Sequence, residues 1–233
     1  MNASEAAGTP HEDGLGVPRL EAIWSRVFQA HRGRATPVSA QQAHQDHWVL
    51  HALGIGLEPF YAWFRHGGSS YAEFERWVLQ HPGRPSARKV ARLNAALTGQ
   101  PIPGDTREEL QAIERMAPVL SAQDLAFWEE HGYVVLHDAV PPEDAAAVAE
   151  AIWHVLGAHP GDPATWYPPN DHGIMVQLFH HAALERNRCN RRIHKAFSQL
   201  WGTADLWSTT DRVGFNAPET ATHRFRGPIC IGM

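Results

Sequence analysis

An α+β fold is predicted by three features of the chain. Residues up to Pro118 read as successive amphipathic helices, each closed by glycine or proline. Beyond Pro118 the helices are interleaved with short β-prone runs. The strand and helix signals there do not alternate as in βαβ units, which suggests an α+β or a helix-decorated all-β domain for that part. The 233 residues are 43% hydrophobic and 19% charged, enough apolar material for a buried core. The net charge of −5 argues against a nucleic-acid binder that works through bulk positive charge. Two cysteines, Cys189 and Cys230, are too few for a secreted disulfide scaffold. No apolar run reaches the roughly 18 residues of a membrane span, and the start lacks a basic-then-apolar leader pattern. The expectation is a cytoplasmic protein that binds neither nucleic acid nor membrane, with its oligomeric state open.

The elements follow in order. Residues 1–16, rich in Gly and Pro, are expected to be a flexible tail. Pro18 opens a helix whose apolar face is Leu20, Ile23, Trp24, Val27 and Phe28, ending at Gly33. A second runs from Ala40 to Leu53, stopped by Gly54 and Gly56. A third, from Leu57, stripes Phe60, Tyr61 and Phe64 and stops at Gly67-Gly68. Ser70 opens a fourth with Tyr71, Phe74, Trp77 and Val78 on one face. Ser86 to Thr98 and Thr106 to Ala117 complete a helical region spanning 17–118.

Residues 119–233 form the second region. Ser121 and Asp124 make a capping box before a helix that Gly132 ends. Tyr133-Val-Val-Leu136 is β-prone. Pro141-Pro142 starts a helix with Val148, Ile152 and Val155 as its core face and Gly157 as its end. Residues 157–173 are a loop carrying Trp166 and Tyr167, candidates for the rim of a substrate mouth. A helix over Arg191 to Leu200 and a β-like stretch from Leu206 to Phe215 follow.

Sixteen histidines raise the question of metal. A two-His, one-carboxylate triad holds non-haem Fe(II), and its local signature is His-x-Asp on a strand. The triplets His11-Glu-Asp13 and His44-Gln-Asp46 have this spacing. The first lies in the expected tail and the second opens a helix, where positions i and i+2 diverge. Both read as products of a His-rich composition, as do His180-His181 and His137-Asp138. Arg186, Arg188, Arg191, Arg192, His194 and Lys195 have the composition of an acidic-substrate grip, but a solvated helix face is the preferred reading. Cys189 has no neighbouring Cys to make a zinc site. No P-loop, dinucleotide or Gly-x-Ser-x-Gly fingerprint occurs.

Phe127-Trp-Glu-Glu-His-Gly-Tyr-Val-Val-Leu-His-Asp-Ala-Val-Pro-Pro142 resembles the opening of phytanoyl-CoA dioxygenase-like proteins. The similarity continues in Gly173-Ile-Met-Val-Gln-Leu-Phe-His-His181, Leu200-Trp-Gly-Thr-Ala-Asp-Leu-Trp207 and Asp211-Arg-Val-Gly-Phe-Asn216. It covers about 119–228, half the chain. The resemblance implies the front part of a double-stranded β-helix (jelly roll), Fe(II) and 2-oxoglutarate as cofactors, and hydroxylation of a small organic substrate. It also implies that Arg212 and Asn216 lie on the strand beside the cosubstrate.

The family's His-x-Asp motif is expected soon after Gly227-Pro228, where this chain instead reads Ile229-Cys-Ile-Gly-Met233. No catalytic residue and no metal ligand is therefore assigned, and no cofactor is expected on this chain as written. Back-translated and read one base earlier, those five residues permit His-Leu-His-Trp-Asp. The expectation is a frameshifted or mis-called gene, so that the chain is catalytically incomplete. Two alternatives remain: a non-catalytic helical interaction module with a degenerate oxygenase remnant, and an unrelated His-rich metal binder.

Overall fold

The computed structural model describes residues 14–167 and 174–224. It is mostly helical, with a single short antiparallel strand pair among the described residues, and so belongs to the α+β class. The chain forms two compact units. One is Met1–Gln111 with Trp207–Thr210, the other Ala112–Leu206 with Asp211–Met233.

The first unit is built from α1 (Pro18–His31), α2 (Ala40–Ala52), α3 (Leu57–Arg65), α4 (Tyr71–Gln80), α5 (Ala87–Leu97) and most of α6 (Gly104–Glu114). Their starts follow local chemistry. The Ser39 and Ser86 hydroxyls accept from the amides of Gln42 and Lys89, and Ser70 and Glu73 close a reciprocal capping box. α6 begins two residues before Thr106, its expected opening. The apolar stripes meet in one core around Leu20, Ile23, Val49, Leu50, Phe60, Phe74, Val78 and Leu93. Trp24 stacks on Phe28 at 4.8 Å and meets Tyr71 edge-on, while Phe60 lies edge-on to Phe64 and Phe74. Leu15, in the expected tail, is instead buried, and its amide donates to Glu75. Packing, which composition does not register, holds it.

The second unit contains the end of α6, then α7 (Ala122–His131), α8 (Pro142–Leu156), a 3-10 turn (Pro163–Trp166), β1 (Met175–Val176), α9 (Ala182–Arg188), α10 (Arg191–Trp201) and β2 (Val213–Gly214). The Ser121–Asp124 box forms as expected, and Gly132 ends α7 in the left-handed region at φ 76°. The core is small: Ala151, Val176, Leu178 and Leu184, flanked by Val148, Ile152, Leu156, Val213 and Phe215. Val155, assigned to the core face of α8, is exposed, and Ala151 and Leu156 take that side.

Two β expectations are corrected. Tyr133-Val-Val-Leu136 forms no strand, because no neighbouring chain pairs with it, and Tyr133 and Val135 are 57% and 60% exposed. Of Leu206 to Phe215 only Val213–Gly214 is strand. α10 buries polar side chains: Lys195 and Ser198 are buried with Ala196, while Phe197 and Trp201 are 50% and 65% exposed. Hydrogen bonds explain this. The Lys195 ammonium donates to the Glu114 carbonyl, and the Gln199 amide side chain bonds the backbone of Val119 and Leu120.

Candidate functional site

The register of the strand pair decides which residues share a face. Met175 opposes Gly214 and Val176 opposes Val213, and the Phe215 amide extends the pairing by donating to the Ile174 carbonyl at 2.8 Å. Side chains alternate along an extended chain. Val213 and Phe215 therefore turn with Val176 into the core beneath α8, where Trp153 meets Phe215 edge-on at 5.0 Å. Gly214, between Val213 and Phe215 in sequence, takes the opposite face. Arg212 and Asn216, singled out from the sequence, lie two residues before and two residues after the glycine that ends β2. Asn216 is exposed and Arg212 partly so.

The Arg212 guanidinium lies 5.9 Å over the Phe179 ring, and its Nε is 3.8 Å from the Asp211 carboxylate. That ion pair is long and exposed, so it restrains Arg212 weakly. Arg188 does the firmer positioning. Its Nη1 donates to the Phe179 carbonyl at 3.0 Å and its Nη2 to the Asp211 carbonyl at 2.8 Å. One guanidinium thereby clasps the residues after β1 to those before β2. Burial lowers its pKa from the ordinary arginine value, against the opposing pull of Glu185, Asp211 and Cys189. Sequence reasoning placed Arg188 only in a basic run; the clasp needs two carbonyls that folding alone brings together.

Five members of that basic run are committed within the second unit. Besides Arg188, Arg186 pairs with Asp144 at 3.0 Å, Arg192 donates to the His137 carbonyl, His194 to Ala204 and Lys195 to Glu114. The solvated-face reading is corrected at Lys195, which is buried. Trp166 packs against Trp153 and donates its indole N–H to the His159 carbonyl; the Tyr167 hydroxyl donates to Pro218 and its ring lies 5.0 Å from His223. Both residues, candidates for a substrate rim, fasten the loop after α8.

The histidine motifs resolve separately. Asp46, of the His44-Gln-Asp46 triplet, is buried and receives Arg19 and Arg26 of α1. His181 is not in a strand: its Nδ1 accepts the Ala183 amide and caps α9. Asp138 turns the chain at φ 50°. The His11-Glu-Asp13 triplet, Cys230 and residues 229–233 lie outside the described residues. Among the described residues, no group of three or more His, Cys, Asp or Glu side chains is arranged to hold a metal ion. No described helix is long and apolar enough to cross a membrane. No family model matches the chain, and no curated protein and no solved structure matches it either.

Proposed function

We propose that residues 119–233 correspond to the front part of a phytanoyl-CoA dioxygenase-like domain, supplying a cosubstrate-side surface, with no metal centre among the described residues. The observation that carries this reading is the position of Arg212 and Asn216 around β2, on either side of the exposed Gly214. A 2-oxoglutarate carboxylate suits a guanidinium with an adjacent amide, through charge-assisted hydrogen bonds. Gly214 between them leaves room for a ligand to approach the backbone. Arg188 acts as a positioning residue, holding the ends of both strands.

The Fe(II) that the resemblance implies does not fit the described residues, which bring no ligand set together. No oxidation step is therefore assigned to them, and hydroxylation of a small organic substrate belongs, in this reading, to a domain completed by further strands. Tyr133 and Val135, exposed in a β-prone run that forms no strand, support this, since such a run is suited to take up a neighbouring strand. The test is two titrations of the 233-residue chain. 2-Oxoglutarate, followed by NMR, is expected to bind weakly, and Arg212→Ala to abolish that binding. Fe(II), followed by equilibrium dialysis under anaerobic conditions, is expected not to bind stoichiometrically. Binding of 2-oxoglutarate that ignores Arg212, or stoichiometric iron, overturns the reading.

A second reading, a helical interaction module, is favoured by one observation. The first unit closes an aromatic core of its own, around Phe60 and Phe74.

A further inference from the structure

Four residues from the C-terminal half, Trp207–Thr210, belong by their packing to the first unit. They have no regular secondary structure, so backbone pairing in a helix or sheet does not hold them. Two anchors do. The Trp207 indole meets the edge of Trp48 (α2) at 5.3 Å and 86°, and the Arg92 guanidinium (α5) lies 4.0 Å over its ring. Three residues on, Thr210 is 4% exposed; its amide donates to His51 Nδ1 at 3.1 Å, and its hydroxyl lies 3.5 Å from the His51 carbonyl. Ser208 and Thr209, between the anchors, face solvent.

From this geometry we infer that the α2–α5 face of the first unit is a recognition site for a short extended peptide with tryptophan at one position and threonine three residues later, filled in cis by residues 207–210. The chemistry is that of a linear-motif pocket. An aromatic wall and a cation select an indole, whose π-face attracts the guanidinium. A histidine with an unprotonated Nδ1 selects a backbone N–H at a fixed distance from it. The two middle side chains are left unread. Because the ligand is part of the chain, its effective concentration is high, and a peptide in trans meets a filled site. The inference concerns the first unit alone and is independent of the oxygenase reading.

The test uses the full chain with the site emptied by Trp207→Ala and Thr210→Pro, the proline removing the N–H that His51 accepts, and a fluorescein-labelled peptide of residues 204–213 as probe. Circular dichroism establishes that the emptied chain keeps its helices. Saturable anisotropy is expected on the emptied chain, with binding at least about tenfold weaker on the native chain, where the site is occupied. Adding Arg92→Ala to the emptied chain is expected to weaken binding by up to about tenfold, the loss of one cation–π contact. A folded emptied chain that ignores the peptide overturns the inference, as does equal binding by the native chain. If emptying the site unfolds the protein, amide hydrogen exchange on the native chain decides. Exchange of the Thr210 amide, which His51 accepts, at least about tenfold faster than in the core of α2 shows a segment that leaves its site by itself. Exchange as slow as that core shows a fixed structural element and overturns the inference.

Discussion

The Lys195 ammonium, buried on α10, donates a hydrogen bond of 2.8 Å to the backbone carbonyl of Glu114, the last residue of α6. A cation at a helix C-terminus interacts favourably with the macrodipole and satisfies a carbonyl that has no partner in its own helix. Lys195→Met keeps the length of the side chain and removes the donor. It is expected to destabilise the second unit by about 1–3 kcal/mol, the cost of an unsatisfied buried acceptor. Urea unfolding followed by circular dichroism measures this. An unchanged midpoint would show that the carbonyl finds water instead.

Asp46 is the shared partner of Arg19 and Arg26. The arginine side chains are 30% and 20% exposed, so the ion pairs fall short of the full effect of a buried pair. Asp46→Ala leaves two guanidinium groups facing each other without their carboxylate. A loss of about 1–3 kcal/mol is expected, below the range for fully buried pairs. Removing Arg19 as well should cost less than the sum of the two single changes, which a double-mutant cycle reads directly.

Gly67 and Gly68 distinguish two reasons for glycine. Gly67 has φ +89°, which disfavours any Cβ although nothing crowds it. At Gly68 an added Cβ would fall inside the Trp63 indole. Gly68→Ala must displace that ring from contacts with Trp24, Phe64 and Phe74, and an overpacking cost of about 1–3 kcal/mol is expected. Gly67→Ala is expected to cost about 1 kcal/mol through backbone strain alone. Thermal melts of the two variants should separate, and identical values would contradict the packing argument.

Acid sensitivity is expected at two capping boxes. The Asp124 carboxyl is held below its usual range by the Ser121 backbone N–H and then by the Ser121 hydroxyl. Glu73 is lowered chiefly by the Ser69 hydroxyl and amide, with Ser70 adding to them. A carboxyl with a depressed folded pKa stabilises the fold above its unfolded value, about 4, and loses that contribution as pH falls through the folded value. The melting temperature of the native chain should therefore fall on acidification below about pH 4. In Asp124→Asn with Glu73→Gln that fall should be shallower. Parallel pH profiles for the two proteins would exclude the boxes as its source.

Phe197 and Trp201 lie on the exposed side of α10. Replacing both with glutamine is expected to change stability by less than about 0.5 kcal/mol per site, because neither side chain is buried. Binding of an apolar dye and self-association at high concentration should both decrease. A large loss of stability would place these side chains in a folded-state contact.

The sequence by itself determined the helical elements of the first unit and most of their ends, those of α6 excepted. Amphipathic spacing, serine caps and terminal glycines are local signals, written within a few residues of the structure they produce. Tertiary structure decided the rest, because each remaining feature needs a partner distant in sequence. Tyr133-Val-Val-Leu136 has every local mark of a strand and forms none, for a strand exists only where another chain accepts its hydrogen bonds. Phe197 and Trp201 of α10 point outward, while Lys195 and Gln199 find carbonyls at Glu114 and Leu120. Arg188 became a clasp, and Trp207 and Thr210 became anchors on α2 and α5, through contacts 9 to 159 residues apart along the chain.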